Sequence, residues 1–134
     1  MAEMWRKVFR EGFLPSLKTE HLVALREVLA SDDPRLIQGA TTSPPPLQCV
    51  QDWPAEAGCL IGFCGIIENG GFGEATVGQA EEWFFQAATQ IDSRMGETAA
   101  IRWLTNWWDE TDRMTAINEI LPEIDRAIAL KIGA

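Results

Sequence analysis

A chain of 134 residues with 46% hydrophobic side chains can bury about two-thirds of its unfolded surface and is too apolar to be disordered throughout. Its net charge of −9 is unevenly placed: residues 1–30 sum to +1, 31–67 to −3, 68–125 to −9 and 126–134 to +2. This argues against a broad nucleic-acid-binding or anionic-membrane surface, which needs clustered Lys and Arg, and permits a basic protein partner.

The chain has three Cys, an odd number, and its first residues, MAEMWRKVFREGF, contain no apolar signal-peptide core. A reducing, cytoplasmic location with free and mostly buried thiols is expected. Residues 3–11 place Met4, Trp5, Val8 and Phe9 on one helical face, with Gly12 as a stop. The segment is short and Glu3 and Glu11 dilute its positive charge, so the face is expected to close the domain rather than lie on a membrane. Thr19 caps a second helix over 20–30, with Leu22, Leu25 and Leu29 on one side and His21 in its first turn. Ser31-Asp32-Asp33-Pro34 reads as a stop and restart, followed by a short helix over Arg35 to Gln38.

Gly39 to Pro46 is a loop stiffened by three consecutive prolines. It leads to Ala57–Ile67, AGCLIGFCGII, the most uniformly apolar stretch in the chain and the expected centre of the core. At this length it cannot span a bilayer, which takes about 20 apolar residues. The favoured reading is a helix capped by Asp52, with Trp53 and Pro54 in its first turn, ending at Asn69-Gly70. Its cost is Gly58, Gly62 and Gly65, each about 1 kcal/mol worse than Ala in a helix unless a neighbour packs closely. The alternative is a short β-hairpin using residues 47–51 and 59–67.

Asn69 to Gly73 is a second connector. Thr76 and Gln79 form a capping box for a helix over 77–95. There Val77, Ala80, Phe84, Ala87, Ala88, Ile91 and Met95 make one stripe, widened by Trp83 and Phe85, and Gly96 ends it. A helix over 98–109 sets Ile101, Leu104 and Trp108 on one line, Ala100, Trp103 and Trp107 on the next, and Arg102, Asn106 and Asp109 outward. Thr111 caps a last helix whose inward line is Met114, Ile117, Leu121, Ile124 and Ile128, with a kink or break near Ile120–Leu121 caused by Pro122.

Chemical motifs are scarce. Cys49, Cys59, Cys64 and His21 could in principle hold zinc, but the spacings lack the tight knuckle of such sites. NGGFGEATVG precedes a helix, as phosphate loops do, yet it lacks the Walker lysine and is ringed by Glu68, Glu74, Glu81 and Glu82. The acidic groups lack the Glu-x-x-His motifs of a di-iron bundle. Neither a metal nor a cofactor is expected.

The sequence therefore predicts an all-α fold: a single-domain bundle of five to seven helices over residues 1–134. Its function is expected to be that of a small soluble interaction or accessory module, with a protein partner or self-association and neither nucleic acid nor membrane. The expected surface is acidic and Trp-bearing, made by Trp103, Asn106, Trp107, Asp109 and Glu110, because Trp is enriched at interface hot spots. The alternative is a small-molecule-binding domain or enzyme with a pocket near the 39–53 loop, using Thr41, Thr42, Gln48, Asp52 and Trp53.

Overall fold

The apolar residues at helical spacing near the start wind into one helical arm. In a computed structural model that describes residues 4–133, α1 (Met4–Lys7) passes into a π-helix (Val8–Phe13) and then a 3₁₀ turn (Leu14–Ser16). Glu3, the expected start of this helix, lies outside the described residues. Trp5, Val8, Phe9 and Phe13 are buried, so the face does close the domain. Gly12 does not stop the arm. It is buried within the π segment, where an added Cβ would stand 2.7 Å from Met95 Cγ.

Helix α2 (Thr19–Ala30) buries His21, Leu22, Leu25, Val28 and Leu29. Its cap position is Lys18 rather than Thr19, because Lys18 holds the extended backbone and its N–H is taken by His21 Nδ1 at 3.0 Å. The helix expected over Arg35–Gln38 does not form. Asp33 accepts the Arg35 N–H at 2.9 Å and also binds the Arg35 guanidinium, which turns the chain instead. Arg35 and Ile37 then exchange backbone bonds with Gly58 at 2.9 Å.

A two-stranded antiparallel sheet joins β1 (Thr42–Ser43) to β2 (Ala57–Gly58). The hairpin is therefore real but uses neither expected segment: residues 48–50 form a 3₁₀ turn, and most of 59–67 is helix. Helix α3 (Leu60–Glu68) begins at Cys59, not Asp52. The donors of residues 53–56 are committed elsewhere: Ala55 N–H to the Ala75 carbonyl and Glu56 N–H to Ser43, at 2.9 and 2.7 Å. Cys59 Sγ accepts from Gly62 N–H at 3.2 Å and caps the helix. All residues from Leu60 to Ile66 are buried, so α3 is enclosed on every side. The glycines permit this. A Cβ on Gly62 would collide with the Thr41 carbonyl oxygen, and one on Gly65 would meet Trp83 Cβ at 2.9 Å. Asn69 and the left-handed Gly70 end the helix as expected.

Helix α4 (Val77–Met95) has the expected bounds and capping box, with Thr76 Oγ1 accepting Gln79 N–H at 3.2 Å. Val77, Ala80, Phe84, Ala87 and Ile91 face α3 and the first π-helix. Phe85 corrects the expected wide arc: it is 62% exposed. After Gly96 comes a second π-helix (Ala100–Thr105), continued by α5 (Asn106–Glu110). A π turn takes in more residues than an α turn, so the expected lines rotate. Ala100, Leu104 and Trp108 are buried, while Ile101 turns out to 45% exposure.

Helix α6 (Arg113–Gly133) is capped by Asp112, whose Oδ2 accepts Thr115 N–H, rather than by Thr111. Ala116, Ile117, Ile120, Glu123, Ile124 and Ala127 point inward, and Met114, expected there, is 53% exposed. The helix runs on through Pro122, so of the kink or break expected near Ile120–Leu121 the break does not occur. Pro122 and Asn118, whose carbonyl loses its donor, are both exposed, so water can satisfy that carbonyl. Among the described residues, buried side chains from all six α-helices meet in one apolar cluster, giving the all-α bundle with its minor hairpin.

Candidate functional site

The start of α2, the end of α3 and the first turns of α4 converge on His21, which is 1% exposed. Its Nδ1 accepts the Lys18 N–H at 3.0 Å, which places the ring proton on Nε2, 2.9 Å from Glu68 Oε1. Lys18 Nζ donates to both Glu68 oxygens at 3.1 Å. The Lys18 ammonium, followed by His21, holds the Glu68 carboxyl below its usual range. The Trp83 indole packs edge-on against the imidazole, 5.4 Å between ring centres.

This constellation has a defined chemical limit. Both ring nitrogens of His21 are engaged, so it has no free lone pair for general-base work. The ligand atoms of Glu20, His21 and Glu68 lie within 4.8 Å of one another, a spacing that invites a metal. Yet His21 Nε2 carries the proton and Lys18 already neutralises Glu68, so the group is built as an ion-pair network. The buried thiols are equally inert. Burial pushes Cys59 up to about 11 and Cys64 well above its ordinary value.

Outward from this network runs the solvent face of α4. Glu68, Asn69, Gln79, Glu82, Trp83 and Gln86 line an open cleft of about 320 Å³. A second, of about 360 Å³, lies along Phe85, Gln86, Thr89 and Gln90. Gln86 borders both: the first holds the Trp83 ring and two carboxylates, and the second is an open groove along the Phe85 ring. Trp83, expected to widen the apolar arc, does pack against the edge of the core, whereas Phe85, expected on the other flank, faces solvent; sequence reasoning missed this face. Its signal was Gln79, Glu82, Gln86 and Gln90, polar residues at i, i+3, i+7 and i+11 along one line outside the stripe.

The expected Trp-bearing surface is partly used by the chain itself. Trp107 is half-buried, and Trp103 is half-buried beneath the Arg102 guanidinium, 5.0 Å above its ring. Asn106 and Glu110 are exposed. Asp109 Oδ1 accepts the Gly39 N–H at 2.9 Å, and burial raises its carboxyl above the usual range. Beside it the buried Trp108 donates from Nε1 to the Ile37 carbonyl at 2.8 Å, and Gln38 Nε2 donates to the carbonyls of Trp108 and Thr111. Thus α5 anchors the entry to the 39–53 loop.

The residues expected to line a pocket there have these places. Thr42 is buried and donates to the Pro44 carbonyl at 2.7 Å, and the Thr41 carbonyl accepts the Cys59 N–H. Gln48, Asp52 and Trp53 are exposed. No protein-family model matches this chain, and neither a curated protein nor a solved structure shows significant similarity to it.

Proposed function

We propose that this protein is a small cytoplasmic interaction module that holds a basic segment of a protein partner along the outer face of α4. The observation that carries this reading is Phe85, 62% exposed in a 19-residue helix and bordered by the open groove described above. An aromatic ring next to carboxylates suits Lys and Arg side chains, whose stems cover the ring while their heads pair with acid. The excess of −9 within residues 68–125 adds long-range attraction for such a segment.

Binding is favoured over catalysis because His21, Cys59 and Cys64 all lack an activated form. The free Cys49, Cys59 and Cys64 accord with a reducing compartment. Among the described residues no helix is long and apolar enough to cross a membrane. The test is a titration of isotopically labelled protein with basic and acidic peptides of equal length. Basic peptides should shift amide signals around Glu82, Phe85 and Gln86, more weakly at high salt. Shifts confined to the Trp103–Glu110 surface would favour that surface instead, for which the 45% exposure of Ile101 speaks. Shifts around Thr41–Trp53 with small metabolites would favour the pocket reading.

A further inference from the structure

The open cleft where the end of α3 meets α4 has a polar inventory that favours one kind of guest. Its walls are Glu68, Asn69, Gln79, Glu82, Trp83 and Gln86. Asn69 donates from Nδ2 to the Gly65 carbonyl at 2.8 Å, which leaves its Oδ1 as an open acceptor. Glu68 Oε1 takes both His21 Nε2 and Lys18 Nζ, whereas Oε2 takes only Lys18 and keeps room for another donor. The side chains of Glu82 and Gln86 are exposed and make no hydrogen bond or ion pair among the described residues. Lys18 balances one carboxylate, but Glu82 and Glu20, the latter within 4.8 Å of Glu68, leave the cleft with surplus negative charge. The cleft therefore calls for a guest rich in N–H donors and positive charge.

Resting on the reading of α4 as a docking face, we propose that this cleft is the anchor of that face and takes the guanidinium of one arginine in the basic partner segment. A guanidinium carries five N–H donors in a plane and no acceptor, so it matches the carboxylate of Glu82 and the amide oxygens of Asn69 and Gln86 while lying against Trp83. A lysine ammonium brings three donors to one point and satisfies fewer of these acceptors. At about 320 Å³ the cleft is at the small end of ligand sites, which suits a single side chain. Gln86 also borders the groove along Phe85, so a segment leaving the cleft runs on beside that ring, where an aliphatic stem can cover it. Lys18 stays on Glu68 and holds that wall in place.

The test extends the peptide titration to three basic peptides identical but for one position, which holds arginine, lysine or citrulline, the neutral isostere of arginine. The arginine peptide should bind about tenfold more tightly than the citrulline peptide and about threefold more tightly than the lysine peptide. It alone should shift the side-chain amide signals of Asn69 and Gln86 and the indole signal of Trp83. Glu82→Gln, at an exposed position and checked for folding by circular dichroism, should weaken the arginine peptide about fivefold and leave the citrulline peptide unchanged. If the arginine and lysine peptides bind alike, or Glu82→Gln affects all three peptides equally, the inference is overturned, while shifts of the α4 backbone would keep the docking reading. Arginine amide alone binding as tightly as the arginine peptide also overturns it, because the guest is then a small molecule and not a segment. If no peptide shifts α4 signals, the docking reading falls and this inference with it.

Discussion

Trp5 and Trp107 lie face to face, their ring centres 3.9 Å apart and their planes 8° from parallel. The stack clasps α1 to α5, and the Arg6 guanidinium sits 4.8 Å from the Trp5 ring centre. Trp5 is 3% exposed and Trp107 is half-buried, so the pair is structural first. Trp107→Ala should cost stability toward the lower end of the roughly 3–5 kcal/mol seen for buried Trp truncations, including about 0.5–1.5 kcal/mol from the ring pairing itself. A urea melt coincident with wild type would show that the rings do not stack in solution.

Gly62 and the Thr41 carbonyl define the tightest approach around α3, since an added Cβ would collide with that oxygen. The obstacle is backbone that is itself paired to Cys59 N–H at 3.0 Å, so it cannot swing aside. Gly62→Leu should therefore destabilise by about 1–3 kcal/mol or more through overpacking, and even Gly62→Ala should do so despite the better helix propensity of Ala. Equilibrium urea unfolding measures both. If Gly62→Ala is as stable as wild type, the β1 loop does not pack against α3 as described.

These two contacts show what the sequence made legible and what it did not. Helix α4 was readable to its ends, because Thr76 and Gln79 cap it locally and Gly96, at φ +113, stops it locally. The central placement of Gly62 was readable from unbroken apolarity. The start of α3 was not. Asp52, Trp53 and Pro54 form a good local helix start, but tertiary pairing of Ala55 with Ala75 and of Glu56 with Ser43 takes their neighbours' donors. The π winding that turns Ile101 outward has no local signal, since an apolar pattern at a period of 3.6 does not mark where a turn widens. At the candidate site, the capping role of His21 follows from its place in the first turn of α2. Its bond to Glu68 joins elements far apart in sequence, which no local pattern reveals.

Thiol reactivity separates the three cysteines. Cys49 is exposed, whereas Cys59 and Cys64 are buried within α3 and its cap, where desolvation disfavours the thiolate. Native protein at neutral pH should react rapidly with a thiol reagent at Cys49 alone, and all three thiols should react in denaturant. Peptide mapping after a short exposure identifies the site. Fast labelling of Cys59 would mean that the α3 N-terminus opens far more readily than a buried, glycine-packed cap allows.

Glu123 joins α6 to the helical arm at the start of the chain and sets an acid limit on stability. It is 7% exposed and accepts from Arg10 Nε at 2.6 Å, Arg10 Nη2 at 2.9 Å and Arg6 Nε at 3.2 Å. The Arg10 bonds, with Arg6 behind them, hold its carboxyl below its ordinary value of 4.5. A carboxyl whose folded value is depressed stabilises the fold fully above its unfolded value. That contribution is lost as pH falls through the folded value. Stability should therefore be level through neutral pH and decline below about 4.5. Glu123→Gln keeps the shape and removes the charge. It should cost about 1.5–3 kcal/mol near pH 7, the range for hydrogen bonds to charged groups. The larger penalty of a fully buried broken pair does not apply, because the Arg10 side chain is 39% exposed and water can solvate it. The variant should also show a shallower acid decline, since the group responsible for part of it is gone. Thermal melts of both proteins across an acid series test this directly. Parallel curves, with the same acid slope, would mean that Glu123 is not the carboxylate whose protonation loosens α6 from the arm.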